Sequence, residues 1–181
     1  MAQFKAFSDN VEVSGRAVLS ILAGMAPSQD RALKILTKHG ITNPTPEGWY
    51  PQQAFLDAFR NIAEEIGPYA LYCIGEKIPE NAQFPQDIDT MEKALNSIHT
   101  AYHMNHRGGD IGSYEFHTTP DGSMRFICRN PYPCEFDRGI IESLARRFAP
   151  AGEHITVRHD DAAPCREKGE DSCSYSIEVT S

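Results

Sequence analysis

The C-terminal end of the chain carries two short runs in which apolar and polar residues alternate, at residues 155–159 and 175–179. Alternation with a period of two is typical of strands with one buried face, so the runs predict a β-hairpin with a long polar connection. Cys165 and Cys173 flank this connection, and Cys173 has the parity of the buried face. The hairpin is therefore expected to bring two thiols, and the imidazole of His159, toward its tip.

Apolar residues recur at spacings of three and four upstream of residue 107, a pattern typical of amphipathic helices. From residue 113 the pattern changes to two short alternating runs, then a helix that begins with Pro133, and then the hairpin described above. The sequence thus predicts an α+β fold, in which N-terminal helices pack on a roughly four-stranded antiparallel sheet with a strand–strand–helix–strand–strand C-terminal half. We expect one compact domain, with a helical part at residues 1–106 and an α+β part at residues 107–181.

Composition limits the partners of the chain. The 181 residues carry a formal net charge of −8, and the pI is about 5.3. An acidic chain without a cluster of lysines or arginines is poorly suited to nucleic acid, because neutralisation of phosphates provides most of that affinity. No apolar run approaches the ~20 residues that span a bilayer, and the N-terminus lacks the apolar segment of a secretory signal. We therefore expect a cytoplasmic protein that binds neither nucleic acid nor membrane.

The five cysteines are an odd number, and in a cytoplasmic chain they are expected to be reduced thiols or metal ligands rather than disulfides. Cys134 stands in the first turn of the predicted helix, where unpaired N–H groups favour the thiolate. Cys134, Cys165 and Cys173 with one further ligand would form a tetrahedral zinc site. The candidates for that ligand are His159, which we favour, Asp160 and Asp161. Ordinary structural thiols, a labile disulfide or another metal centre are the alternatives.

Three histidines, His99, His103 and His106, follow one another at spacings of four and three, which predicts that they share one face of the last N-terminal helix. An imidazole in such a position can serve as an axial ligand of haem, and His99 and His103 are the candidates. The alternative is that these side chains line an interface or face water.

Aromatic residues are spread over both parts of the chain. Together they can wall an apolar pocket with hydroxyl groups at its edges, or they can simply fill the core. If they form a pocket, the predicted ligand-binding residues are Trp49, Tyr72, Tyr102, His103 and Phe116. The sequence contains no Gly-rich phosphate loop, GxSxG elbow or HExxH motif, so it does not indicate an enzyme.

Residues 107–179 contain a set of motifs that resembles the 4-vinyl reductase domain family. The matching features are Asn130-Pro-Tyr-Pro-Cys134, Phe136, Gly139-Ile-Ile141, Cys165, Lys168-Gly-Glu170 and Cys173-Ser-Tyr175-Ser-Ile177. The resemblance implies a small-molecule-binding domain that is distantly similar in fold to haem nitric oxide-binding domains. Members of the family serve as sensor domains of aromatic-responsive transcription activators and as accessory proteins in bacteriochlorophyll synthesis.

The resemblance also implies a metal. Sensor members of the family hold zinc with three cysteines and a glutamate, and the cysteines that match here are Cys134, Cys165 and Cys173. The position of the glutamate, three residues before Cys165, is Ala162 in this chain. A different residue must therefore complete the site if zinc binds.

These observations lead to one main hypothesis and two alternatives. The main hypothesis is a stand-alone sensor-type domain that has a structural zinc site and binds an apolar, aromatic or tetrapyrrole-like ligand. It would form a homodimer and pass its signal to a separate partner. The first alternative is a haem-binding gas or redox sensor with an axial histidine. The second is an accessory protein or enzyme of tetrapyrrole reduction, which the resemblance alone suggests.

Overall fold

Two sheets and a set of helices make up the fold. The computed structural model describes residues 3–120 and 122–180. Its helices are α1 (Gly15–Gly24), α2 (Gln29–Lys38), α3 (Gln52–Glu65), α4 (Pro68–Glu76), α5 (Ile78–Asn81), α6 (Met91–Met104) and α7 (Cys134–Arg147). Its strands are β1 (Glu12–Ser14), β2 (Trp49–Pro51), β3 (His106–Arg107), β4 (Ser113–Thr118), β5 (Met124–Arg129), β6 (His154–His159) and β7 (Cys173–Thr180).

Strands β4 to β7 form an antiparallel sheet in the order β4-β5-β7-β6. Because α7 lies between β5 and β6 in the chain, the C-terminal half has the predicted order of elements, and the α+β prediction is confirmed. In the last hairpin Val157 pairs with Ile177, and His159 pairs with Tyr175. Val157, Ile177 and Tyr175 are buried and His159 is half-buried, so the parity of this hairpin is as predicted. The turn expected at residues 120–122 includes Asp121, which lies outside the described residues.

A second, three-stranded sheet has the order β2-β1-β3 and has no counterpart in the prediction. Val13 of β1 pairs with Tyr50 on one side and with His106 on the other. These strands contain two or three residues each, which is too short for a period of two to be recognised. The small sheet ties the segment that follows α6 to the N-terminal part of the chain, and so it fixes the place of His106.

One apolar cluster joins the helices to the larger sheet. It includes Phe55 and Phe59 of α3, Phe126 of β5 and Ile141 of α7, all of which are buried. The longest helices, α3, α6 and α7, contain 14 residues each. Among the described residues, none of the helices has the length and the apolar character needed to cross a membrane.

Helix α7 crosses α4 at a pair of glycines. A Cβ atom at Gly75 would lie 2.2 Å from the backbone oxygen of Phe136, and one at Gly139 would lie 2.3 Å from that of Tyr72. Both distances are far below van der Waals contact, so the crossing requires residues without a side chain. The contact holds α7, and with it Cys134 at the start of the helix, against the N-terminal helices.

Candidate metal centre and ligand pocket

Four side chains with metal-binding donor atoms meet where α7, β6 and β7 come together. They are Cys134, His159, Cys165 and Cys173, and their donor atoms all lie within 4.8 Å of one another. The sulfur atoms are 3.1 Å apart for Cys134 and Cys173, and 3.7 Å apart for both pairs that include Cys165. With Zn–S bonds of about 2.3 Å, the sulfurs of a tetrahedral zinc site lie about 3.8 Å apart. The two pairs that include Cys165 have this spacing and the pair of Cys134 and Cys173 is closer, so the thiol cluster has the donor set of a metal site.

Each member of the thiol cluster is placed by the end of a regular element or by a short connection. Cys134 is the first residue of α7, Cys173 is the first residue of β7, and His159 is the last residue of β6. Cys165 lies in the connection between β6 and β7 and is buried. The structure therefore brings together all four residues that the sequence predicts as metal ligands, and metal binding itself stays a prediction.

His159 is oriented toward the sulfurs by its neighbour Asp161. The Nδ1 atom of His159 lies 2.9 Å from Asp161 Oδ1, so this nitrogen carries the proton and donates to the carboxylate. The other ring nitrogen, Nε2, is buried and has no hydrogen-bond partner among the described residues. A carboxylate on one nitrogen and a free lone pair on the other are the usual arrangement of a metal-bound histidine. Asp160, an alternative ligand in the prediction, forms an ion pair with Arg125 instead.

The thiols of the cluster do not ionise alike. A hydrogen bond from Cys134, helped by Arg166, lowers the pKa of Cys173 to about 3, although burial opposes this change. The same hydrogen bond, together with burial, raises the pKa of Cys134 far above its ordinary value. The arrangement thus favours the thiolate at Cys173 and the thiol at Cys134, with Cys173 accepting the hydrogen bond between them.

Arg166 is a buried cation beside the cluster. Its backbone N–H and its Nε each lie 3.3 Å from the sulfur of Cys173. Its Nη1 donates to the backbone and side-chain oxygens of Asn130, and its Nη2 lies 2.5 Å from Asp137 Oδ2. Arg166 is 1% exposed and Asp137 is 0% exposed, so the ion pair is shielded from water. Such a pair is retained because each charge satisfies the other, while an unpaired buried charge is strongly destabilising.

Asp137 extends this network away from the sulfurs. Its Oδ1 accepts a hydrogen bond from the hydroxyl of Tyr114 at 2.5 Å, and the amide of Asn130 donates to both of its oxygens. Burial raises the pKa of Asp137 above its ordinary value, although Arg166 and Tyr114 counteract the rise. Sequence reasoning missed Arg166 and Asp137. Arg166 belongs to a highly charged turn and Asp137 to the first turn of a helix, where acidic residues are common, so neither pattern indicates burial.

A groove of about 780 Å³ opens beside the cluster. The N-terminal segment forms part of its wall, and the side-chain amide of Gln3 donates to the sulfur of Cys134 at 2.8 Å. Cys134 is half-buried, whereas Cys165 and Cys173 are buried. Cys134 is therefore the most accessible sulfur of the cluster.

A separate apolar pocket lies among α1, α3, α5, α6 and α7. Its polar lining residues are Tyr102, Asn105, His106, Tyr114 and Tyr132. Its apolar lining residues are Ala17, Phe55, Ile78, Ala82, Phe84, Ile98, Ala101, Phe136 and Ile140. An apolar wall with a few placed polar groups is typical of small-molecule sites.

His106 belongs to a hydrogen-bonded chain in the wall of this pocket. Its Nδ1 lies 2.8 Å from the backbone oxygen of Tyr102 and must donate, so Nε2 accepts from the hydroxyl of Tyr132 at 2.6 Å. The amide of Gln52 in turn donates to the Tyr132 oxygen at 3.3 Å. Gln52 Oε1 is buried and has no partner among the described residues. Burial lowers the pKa of His106 to about 4, so the imidazole is neutral at neutral pH.

Solved structures of H-NOX proteins share this arrangement of elements. An H-NOX protein from S. oneidensis in the Fe(II)NO ligation state aligns with a TM-score of 0.69 at 16% identity, over 93% of this chain and 99% of that one. The Fe(II) unliganded H-NOX protein from K. algicida gives 0.62 at 13% identity, over 93% and 97%. A point mutant of T. tengcongensis H-NOX gives 0.61 at 11% identity, over 91% and 96%. The chain has the H-NOX fold.

This H-NOX fold confirms the predicted distant similarity to haem nitric oxide-binding domains. No family model matches the sequence, so the 4-vinyl reductase family has no support beyond the resemblance itself. No curated protein matches the chain either. At identities of 11 to 16%, the similarity to H-NOX proteins describes the fold and does not extend to the ligand.

Within this H-NOX fold, the histidines are placed differently from the prediction. His99 and His103 lie on the exposed face of α6 and pack against each other, with ring centres 4.5 Å apart and ring planes tilted by 60°. His106 follows the end of α6 and belongs to β3, so the spacing of a helix does not apply to it. As a result His106 lines the pocket, whereas His99 and His103, the predicted axial ligands, do not.

Of the five residues predicted to bind a ligand, Tyr102 is in the described lining of the pocket and the other four are not. Trp49 lies against the guanidinium of Arg107 at 4.3 Å, and Tyr72 against that of Arg138 at 4.3 Å. Phe116 packs on Phe126 in the sheet, with ring centres 6.1 Å apart, and His103 is exposed. Aromatic content indicates which residues can line a pocket, but contacts between distant parts of the chain determine which of them do. A role for these four in ligand binding stays a prediction.

Proposed function

We propose that this chain is a sensor-type domain that binds an apolar or aromatic small molecule in the pocket beside α6 and α7, and that its thiol cluster holds a structural zinc ion. The observation that carries the proposal is the lining of this pocket, an apolar wall interrupted by the hydrogen-bonded chain of His106, Tyr132 and Gln52. The fold adds support, because the S. oneidensis H-NOX protein was solved in the Fe(II)NO ligation state.

The residues of the thiol cluster fit zinc. Three clustered sulfurs and the unpartnered Nε2 of His159 make a closed donor set, with Asp161 holding the imidazole in the required tautomer. A metal held by these four residues would join the start of α7 to the β6–β7 hairpin. Since such sites contribute folding free energy directly, the proposed role of the metal is structural.

Haem is the second candidate, favoured by the shared fold and by the neutral imidazole of His106 in the pocket wall. The candidate axial ligand is then His106, in place of His99 and His103 at the surface. Two observations oppose haem. His106 Nε2 already accepts a hydrogen bond from Tyr132, and the described lining includes no lysine or arginine to pair with the carboxylates of a tetrapyrrole. The pocket therefore fits a neutral molecule better than haem.

Native mass spectrometry and a visible spectrum of protein purified without chelator distinguish the candidates. We expect one zinc ion per chain and no Soret band. A strong Soret band that disappears in His106→Ala and persists in His103→Ala would establish haem in place of the neutral ligand. Protein that contains no zinc after purification under reducing conditions would refute the metal site.

The pocket itself is tested with a variant that fills it. Ala101 is buried and lines the pocket, so Ala101→Phe should abolish the rise in melting temperature that a bound compound produces. Ala26→Phe, at an exposed alanine, is the matched control and should keep that rise. If no compound in a panel of hydrophobic and tetrapyrrole molecules stabilises the wild-type protein, the pocket proposal fails.

A homodimer and a separate signalling partner complete the proposal. The outer face of α6 presents His99, His103 and Met104, all exposed, and such a mixture suits an interface. Sedimentation that finds monomer alone at micromolar concentration would refute the dimer. A part in tetrapyrrole reduction rests on the family resemblance, and the cytoplasmic location rests on the composition of the chain.

A further inference from the structure

A single buried hydrogen-bonded network touches both the thiol cluster and the pocket. At one end, Arg166 donates to the sulfur of Cys173 from its backbone N–H and from its Nε, both at 3.3 Å. At the other end, Tyr114, which lines the pocket, donates to Asp137 at 2.5 Å. Arg166 and Asp137 form an ion pair at 2.5 Å. Three side chains therefore span the whole distance between a sulfur of the cluster and the wall of the pocket.

Asn130 provides a second branch of this network. Its side-chain oxygen accepts from Arg166 and from the backbone N–H of Tyr132, the latter at 2.8 Å. Its amide nitrogen donates to Asp137 at 3.2 Å. Tyr132 is another lining residue of the pocket. The network thus holds two of the three tyrosines in the pocket wall, Tyr114 and Tyr132.

The members of this network are all buried, with exposures between 0% for Asp137 and 4% for Tyr114. Water cannot replace a lost partner at such depth, so a shift of one member has to be followed by the next. The anchor of the network is the sulfur of Cys173. When Cys173 serves as a metal ligand its sulfur is fixed, and Arg166 and Asp137 are then fixed in turn.

We propose that this network couples the two sites, so that metal held at the thiol cluster raises the affinity of the pocket for its ligand. By thermodynamic linkage, the ligand raises the affinity of the cluster for metal by the same factor. The inference rests on the proposed function, because it requires both a metal and a pocket ligand. Its physical basis is preorganisation: a metal that fixes the sulfur of Cys173 would hold Tyr114 and Tyr132 in place through the network, so less ordering would accompany ligand binding. Coupling of this kind amounts to roughly 5–150-fold.

The test compares the full chain loaded with zinc and the same chain after removal of zinc by a chelator, with 1-naphthol as an uncharged aromatic probe. We expect the zinc-loaded chain to bind 1-naphthol with a Kd at least about fivefold lower. Saturating 1-naphthol should lower the Kd for zinc, measured by chelator competition, by the same factor. Equal affinity of both forms for 1-naphthol would overturn the proposal.

Two tyrosine variants show whether the coupling passes through the network. Tyr114→Phe removes the hydroxyl that bonds Asp137 and keeps the ring in the pocket wall, so the coupling factor should fall toward 1. Tyr102→Phe is the matched control, because its hydroxyl donates to the backbone oxygen of Ile111 at 2.6 Å and not to Asp137. Tyr102→Phe should keep the coupling factor, and an equal loss in both variants would contradict the pathway. Circular dichroism of each zinc-free variant shows that it is folded before the factors are compared, because unfolding on loss of zinc would by itself link the two affinities.

An NMR measurement separates failure of the coupling from failure of the pocket. In ¹⁵N-labelled protein without probe, the amide of Tyr132 should shift when zinc is removed, because it donates to Asn130. The amide of Ile35 in α2, which is outside the network, should not shift. An unchanged Tyr132 amide would overturn the coupling whatever the probe does. A shifted amide with no 1-naphthol binding in either form would support the network and refute the proposed pocket.

Discussion

The thiol cluster and the apolar pocket differ in what holds each together. The cluster consists of four donor atoms from the C-terminal half, and its geometry depends on directional contacts such as that between His159 and Asp161. The pocket is lined by residues from α1 to α7, and its shape depends on packing, which has no preferred direction. A tetrahedral site is lost when one ligand is replaced, whereas an apolar wall tolerates changes of similar volume. Substitutions should therefore act in an all-or-none manner at the cluster and in a graded manner at the pocket.

The largest effect is expected from Cys173→Ser, which removes both a metal ligand and the sulfur that accepts from Arg166. At zinc about 1,000-fold above its Kd, a bound ion stabilises the folded chain by about 4 kcal/mol. Its loss should lower the melting temperature by about 8–16 °C for a chain of this size, as measured by calorimetry with metal analysis. Chelator treatment of the wild type should reproduce the effect. Cys73→Ser, at a half-buried cysteine outside the cluster, should change neither property.

A smaller loss of unfolding free energy is expected from Asp137→Asn, measured by denaturant unfolding in saturating zinc. The substitution leaves Arg166 buried without its carboxylate, which should cost about 3 kcal/mol. Asp160→Asn is the matched control, because Asp160 pairs with Arg125 at the surface at 3.0 Å. That change should cost less than about 1 kcal/mol. Similar losses in the two variants would mean that the ion pair of Arg166 and Asp137 is no more important than a surface pair.

The free energy of unfolding should depend on pH through His106, which lines the pocket. Its pKa is about 4 in the folded chain, compared with about 6.5 when unfolded, so the unfolded chain binds more protons between these values. The contribution of His106 is therefore fully present above pH 6.5 and is lost as the pH falls toward 4. It should decrease by roughly 2 kcal/mol between pH 7.5 and pH 5. The measurement compares unfolding of the wild type and His106→Gln, which share the same cysteines, and equal pH slopes would disprove the prediction.

The smallest effect is expected from Trp49→Phe. Trp49 lies against Arg107, outside the described lining of the pocket, so the change should cost about 0.5–1 kcal/mol from the weakened cation–π contact. It should alter the Kd for 1-naphthol by less than about twofold, because distant sites act independently. A loss of binding as large as that in Ala101→Phe would place Trp49 at the ligand site after all.

The difference between the two sites also explains which of them the sequence could predict. Strand parity places Cys173 and His159 on one face, and the break before α7 places Cys134 at a helix start, so local rules are sufficient for most of the cluster. The pocket depends on contacts between elements far apart in the chain. The spacing rule treats His103 and His106 alike, but the helix ends between them at Met104 and turns His106 inward. The sequence could therefore predict the α+β order and the residues of the thiol cluster, but of the pocket lining only Tyr102, and not the buried ion pair of Arg166.

The crossing of α4 and α7 at Gly75 and Gly139 limits which substitutions this protein can accept. Neither glycine touches a sulfur, yet a side chain at either position would push α4 and α7 apart. Because Cys134 is the first residue of α7, a displacement of this helix would also displace Cys134, one of the candidate metal ligands. A relative that keeps the three cysteines but carries larger residues at these two positions must hold α7 farther from α4. That displacement would change the position of Cys134 relative to the other three donors, so the two glycines and the donor set are expected to change together.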